Sequence, residues 1–127
     1  MAKSDECVFY EIIAGEREAD VLLESEAHLC FVDAYPVNEG HALVVPKDHV
    51  QYLENASDEG MFEFLKTTLE AVNDRYEPDS TTVGVNNGPE AGQTIPHLYW
   101  YIIPRYEGDV DSPTGGVRGA ISEKRTY

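Results

Sequence analysis

The sequence predicts an antiparallel α+β domain: a sheet of about five strands, one long helix, and a short helix at the N-terminus. About five short runs rich in β formers are joined by hairpin-length connections, and one segment, residues 57–76, carries a single apolar stripe at helical spacing. The runs do not alternate regularly with helices, which disfavours a doubly wound parallel sheet. All 127 residues are expected to form one domain (1–127), in which residues 106–127 make an extended tail.

Residues 7–16 open with apolar side chains and end at Gly15, the pattern of a short helical turn. Residues 19–25 and 29–33 are apolar runs separated by Glu26-Ala27-His28 and read as a hairpin. His28 falls at that turn, where an exposed histidine without a role is expected. A turn-rich loop over 34–40 leads into a strand from His41 to Val45, stopped by Pro46.

In the long helix Met61, Leu65, Leu69, Val72 and Tyr76 recur every three or four residues and form the buried stripe. Ser57 is expected to cap it, with Asp58 and Glu59 at its positive end. Phe62 and Phe64 flank or leave the stripe, so at least one is expected to face a second surface. Residues 81–86 form another β run that enters the loop 86–94. Asn86, Asn87, Gly88, Gly92, Gln93 and Thr94 can turn there at little steric cost and offer donors suited to a phosphate.

The next stretch, from Pro96 to Arg105, alternates ring and apolar side chains. Period-2 geometry sets His97, Tyr99 and Tyr101 on one face and Leu98, Trp100 and Ile102 on the other. One face is chemical and the other is core. The tail beyond Arg105 is glycine-rich with few periodic apolar positions, and it is expected to pack on the body or on a partner subunit. Its basic residues Arg118, Lys124 and Arg125 are expected to meet the protein's own acidic surface.

Nine basic and 24 acidic residues give 9 − 24 = −15, without a basic cluster, which excludes nucleic acid and anionic membrane as natural partners. Spread along the chain, that charge suits a protein kept soluble in concentrated salt. The polar start, residues 1–6, lacks an apolar core of a secretory signal, so a cytoplasmic location is expected. Two cysteines, Cys7 and Cys30, are too few for a disulfide scaffold and are expected to be reduced.

Three groups of residues together resemble the histidine triad (HIT) family of nucleotide hydrolases and transferases. They are His97-x-Tyr99-x-Tyr101 followed by two isoleucines, Asp33 with Gly40-His41 and Pro46-Lys47-x-His49, and Gly92-Gln93-Thr94. The resemblance implies the HIT-like fold, a homodimer, and a pocket for a purine nucleoside phosphate such as AMP or GMP. It implies that Asp33 holds the ribose hydroxyls, that Phe31 and His41 help wall the base pocket, and that Asn86, Gly92, Gln93 and Thr94 meet the α-phosphate.

The family's strand carries three histidines, the middle one being the nucleophile. Here Tyr99 stands at that position, Tyr101 at the third, and only His97 is kept. A phenol with a reference pKa of about 10 is almost wholly protonated near neutral pH and makes a poor substitute for imidazole. The resemblance therefore implies a nucleotide-binding protein whose transfer chemistry is weak or lost. Two alternatives stand beside it: an interaction protein whose pocket the tyrosine rings fill, and a hydrolase using Tyr99 itself. Many relatives carry Cys-x-x-Cys near the start as half of a zinc site. Cys7, His49 and His97 would be its surviving ligands, but Tyr10 replaces the second cysteine, and no metal is expected.

Overall fold

The computed structural model describes residues 7–124. The polar stretch 1–6, the Lys124 side chain and Arg125 lie outside the described residues. Five strands form one antiparallel sheet, in the order β1-β2-β3-β5-β4. They are β1 (Val21–Glu24), β2 (His28–Val32), β3 (Ala42–Pro46), β4 (Ser80–Val85) and β5 (Trp100–Arg105). The expected hairpin is present: Leu23 faces Cys30 and Glu24 faces Leu29 across β1 and β2.

The sheet separates two cores. On one face the long helix α2 (Met61–Tyr76) buries Phe64, Leu65 and Val72 against Cys30, Ala42, Val44 and Ile102. On the other the short helix α1 (Val8–Ile13) packs Phe9 against Leu29, Phe31, Leu43 and Val45. The alternation read in the last strand is kept, with Trp100 and Ile102 on the helix side and Tyr99 and Tyr101 on the α1 side. Regular pairing begins at Trp100, so His97 lies on the irregular approach to β5 rather than on the strand. Pro96 donates no ladder hydrogen bond, and the Leu98 N–H is taken by the Val50 carbonyl at 2.7 Å.

Two expectations change. α2 begins at Met61, after Gly60 at φ 72°, because the Ser57 hydroxyl accepts from the Glu59 N–H in a separate turn and does not cap the helix. Its apolar stripe holds and gains Phe64, while Phe62 is 71% exposed. His28 is buried, not exposed: it is the first residue of β2 and its ring stacks on Phe64 with centroids 5.3 Å apart. Burial holds its pKa below the ordinary histidine value.

Asp109 ties the end of β5 to the loop after β2. It accepts from Arg105 at 2.8 and 2.9 Å, from the Asn38 amide at 2.9 Å and from the Tyr106 N–H at 3.0 Å. The Arg105 guanidinium, followed by that N–H, holds the Asp109 carboxyl far below the usual carboxylate range. Beyond it the tail forms two 3-10 turns, Gly116–Ala120 and Ser122–Lys124, and Val117 and Ile121 are exposed on the single chain. Both cysteines are free and buried, and burial pushes the Cys30 thiol up to about 12. Among the described residues no helix is long and apolar enough to cross a membrane.

Candidate functional site

The α1 face of the sheet holds a cavity of about 720 Å³. Val8, Phe9 and Ile12 of α1, Phe31 of β2, Leu43 of β3 and Ile95 make its apolar walls, and Asp33, Tyr35, Thr94 and Tyr99 supply its polar atoms. An apolar slot with a few convergent polar groups, of this volume, is what a small organic ligand requires. Of the residues that the sequence offered as a site, Phe31, Asp33, Thr94 and Tyr99 line this cavity. The α1 wall was missed: its apolar residues read only as a buried entry, although their spacing of one and three residues gave one shared helical face.

Asp33 follows β2 directly. Its Oδ1 accepts from the Tyr35 N–H at 2.9 Å and its Oδ2 lies 3.6 Å from His41 Nε2. His41 is buried and lies behind the cavity instead of in its wall, because its Nδ1 turns inward to accept from the Val37 N–H at 3.1 Å. Burial lowers its pKa, with Asp33 acting in the opposite direction. Gly40, at φ +89°, closes this loop, and any Cβ there would lie 2.7 Å from the Tyr76 ring.

The donor-rich loop splits into two parts. Thr94 reaches the cavity, with its Oγ1 3.5 Å from the Tyr99 hydroxyl. Gln93 does not: it is buried, its Oε1 accepts from the Gly88 N–H at 2.9 Å and its Nε2 donates to the Gln51 carbonyl at 2.9 Å. Its amide braces the loop, and the expected phosphate contact is not available to it. Asn86 lies beside Gly92, whose missing Cβ would sit 3.2 Å from the Asn86 Nδ2, and neither residue lines the cavity.

Tyr99 packs edge-on against Phe9 at 5.3 Å, which fixes its ring in the cavity wall. Tyr101 reaches across to β4, where a Cβ on Gly84 would fall 2.5 Å from the Tyr101 hydroxyl and 2.8 Å from its Cζ. Glycine at 84 is what gives this phenol its room. Neither ring fills the cavity.

Cys7, His49 and His97 come together below Tyr99, their ligand atoms all within 4.8 Å of one another. His97 donates from Nε2 to the Pro46 carbonyl at 2.9 Å, which leaves the Nδ1 lone pair facing Cys7 Sγ at 3.4 Å and His49 Nδ1 at 3.1 Å. Burial above all, and His49 to a lesser degree, hold the His97 pKa below its ordinary value. A tetrahedral zinc ion has ligand edges of about 3.3–3.6 Å, close to the two spacings from His97 Nδ1. Tyr10, three residues after Cys7, presents its backbone N–H to the thiol sulfur at 3.4 Å. Among the described residues no fourth His, Cys, Asp or Glu completes the set.

Residues 14–108 match the family model described as HIT domain. A HIT-like protein from Methanocaldococcus jannaschii is 41% identical over 81% of this chain and 81% of its own length. An adenosine 5′-monophosphoramidase from Schizosaccharomyces pombe is 34% identical over 78% of this chain and 74% of its own. The crystal structure of a HIT family protein from Bacillus subtilis superposes with a TM-score of 0.78 at 35% identity, covering 83% of this chain and 77% of that one.

Proposed function

Since the chain belongs to the HIT family, we propose that it binds a purine nucleoside monophosphate in the cavity beside α1, and that its nucleotidyl-transfer chemistry is weak or lost. One observation carries the reading: the apolar slot runs between a carboxylate, Asp33, and a hydroxyl pair, Thr94 and Tyr99. A purine is accommodated among Phe9, Ile12, Phe31 and Leu43, because flat apolar walls take a flat ring. Asp33 accepts protons from ribose hydroxyls through its Oδ2, which no backbone donor occupies. The Thr94 and Tyr99 hydroxyls donate to phosphate oxygens. Being neutral, they bind an anion without supplying the nucleophile or the positive charge that imidazoles would bring.

An open cavity favours this reading over a ring-filled interaction protein. Zinc held by Cys7, His49 and His97 would supply a cross-link between α1 and the approach to β5, and no reacting group depends on it. The substrate class of the S. pombe relative, an adenosine 5′-monophosphoramidase, makes AMP the first ligand to try. Calorimetry is expected to give saturable heat with AMP or GMP. At a ligand concentration about 100-fold above Kd, folding should gain about 2.7 kcal/mol and melting should move up accordingly. No heat and no shift at millimolar AMP, ADP and GMP would sink the proposal.

The reading includes a homodimer, the commonest oligomeric form for a chain of this kind. It predicts elution from gel filtration at twice the 14.2 kDa chain mass, and a monomeric profile would remove it.

A further inference from the structure

We propose that His41 is a positioning residue that makes the cavity selective for ribose: it holds the Asp33 carboxylate and the loop above it in the one arrangement that reads a cis-diol. The inference rests on the nucleotide reading given above. His41 does not line the cavity, so its influence on a ligand must pass through its neighbours, Asp33 and the loop that follows it.

The bonds around the ring set its tautomer. A backbone N–H can only donate, so the contact from Val37 at 3.1 Å requires a bare Nδ1 and leaves the imidazole proton on Nε2. The Nε2 that carries it lies 3.6 Å from Asp33 Oδ2. The distance is too long for a full hydrogen bond. It orients the carboxylate by charge and dipole while leaving Oδ2 able to accept from a sugar hydroxyl.

The backbone reinforces the same arrangement. The Asp33 N–H donates to the His41 carbonyl at 2.8 Å, and the His41 N–H donates to the Asn38 carbonyl at 3.1 Å. The ends of the loop are thus tied to each other, and Oδ1 of Asp33 is fixed by the Tyr35 N–H. Only Oδ2 can swing, and His41 is the side chain in front of it. Burial favours the neutral ring, with Asp33 acting in the opposite direction, and the Val37 N–H requires the bare Nδ1 of that form.

Two substitutions separate the two bonds. His41→Asn places an oxygen near the Nδ1 position and can keep the Val37 contact, but it does not reach Asp33. His41→Gln reaches toward Asp33 and gives up the Val37 acceptor. The experiment measures Kd for AMP and for 2′,3′-dideoxy-AMP with each protein, with melting curves as a check on folding. Wild type is expected to prefer AMP by about tenfold or more, the worth of a hydroxyl bound to a charged acceptor. His41→Asn should lose most of that ratio by weakening AMP alone, and His41→Gln should retain more of it.

Equal weakening of both nucleotides would show a merely structural role and overturn the inference. So would an unchanged ratio in His41→Asn, or a ratio lost in His41→Gln and kept in His41→Asn. A wild type that binds both nucleotides equally overturns the inference and leaves the nucleotide reading standing. A wild type that binds neither removes both.

Discussion

Tyr99→His combined with Tyr101→His is expected to raise AMP release from adenosine 5′-phosphoramidate by at least about 100-fold over the wild type, the scale at which a positioned imidazole contributes. The geometry favours the gain. Tyr99 lies in the cavity wall with Phe9 behind it and Thr94 beside it, so a histidine there faces the space proposed for the phosphate. Its nitrogen can attack the α-phosphorus as the P–N bond to the leaving amine breaks; water then hydrolyses the nucleotidyl-histidine to AMP.

The second change makes room. The Tyr101 ring extends to the position a Cβ on Gly84 would claim, at 2.5 Å from its hydroxyl. A histidine is shorter, so it vacates the space over Gly84 and sets a second imidazole on the same face of β5 as position 99. Product analysis by chromatography reads the rate, and intact-protein mass reads the nucleotidyl adduct. An unchanged rate in a double variant that still binds AMP would show that more than two side chains separate this site from an active one. Wild-type turnover that survives Tyr99→Phe would exclude Tyr99 as a nucleophile, and turnover abolished by it would favour the tyrosine enzyme.

The parts of the fold that were legible in the sequence are those written in periodicity. The α2 stripe and the two faces around Tyr99 and Tyr101 follow from spacings of three to four and of two, and both are present. What periodicity does not encode is where a side chain turns once its neighbours are fixed. His28, just after Glu26-Ala27 between two apolar runs, looked like a turn residue, yet pairing with Pro46 draws it into β2 and under α2. Ser57 has the chemistry of a helix cap and spends it one turn early.

The candidate site shows the same division. Asp33 and Thr94 reach the cavity, whereas Gln93 and His41 bond inward to backbone groups of their own loops. A buried N–H without a partner is costly, and only the folded loop reveals that the Gly88 and Val37 N–H groups require those two side chains. The α1 wall of the cavity was hidden for the opposite reason. Apolar residues at Val8, Phe9 and Ile12 carry no chemical signature, and a ligand slot and a core look alike in composition.

Tyr10→Cys is expected to turn the Cys7, His49 and His97 cluster into a tight zinc site, with metal affinity at least about 100-fold above the wild type. His49 Nδ1 and Cys7 Sγ lie 3.1 and 3.4 Å from His97 Nδ1, and that nitrogen has one lone pair for two neighbours. A cation between them would satisfy all three donors together, which no arrangement of protons does. Among the described residues the wild type lacks a fourth strong ligand, because a phenol is a weak zinc donor beside a thiolate. Position 10 is suitably placed: its N–H already points at the Cys7 sulfur from the first turn of α1, the spacing at which a second thiolate would close the set. After a zinc load and passage through chelator, the wild type is expected to emerge without metal and Tyr10→Cys with about one zinc per chain. The variant should also melt on the order of 10 °C higher in its zinc form. Stoichiometric zinc retained by the wild type would show that three donors suffice, and a variant that keeps none would show that residue 10 faces away from the cluster.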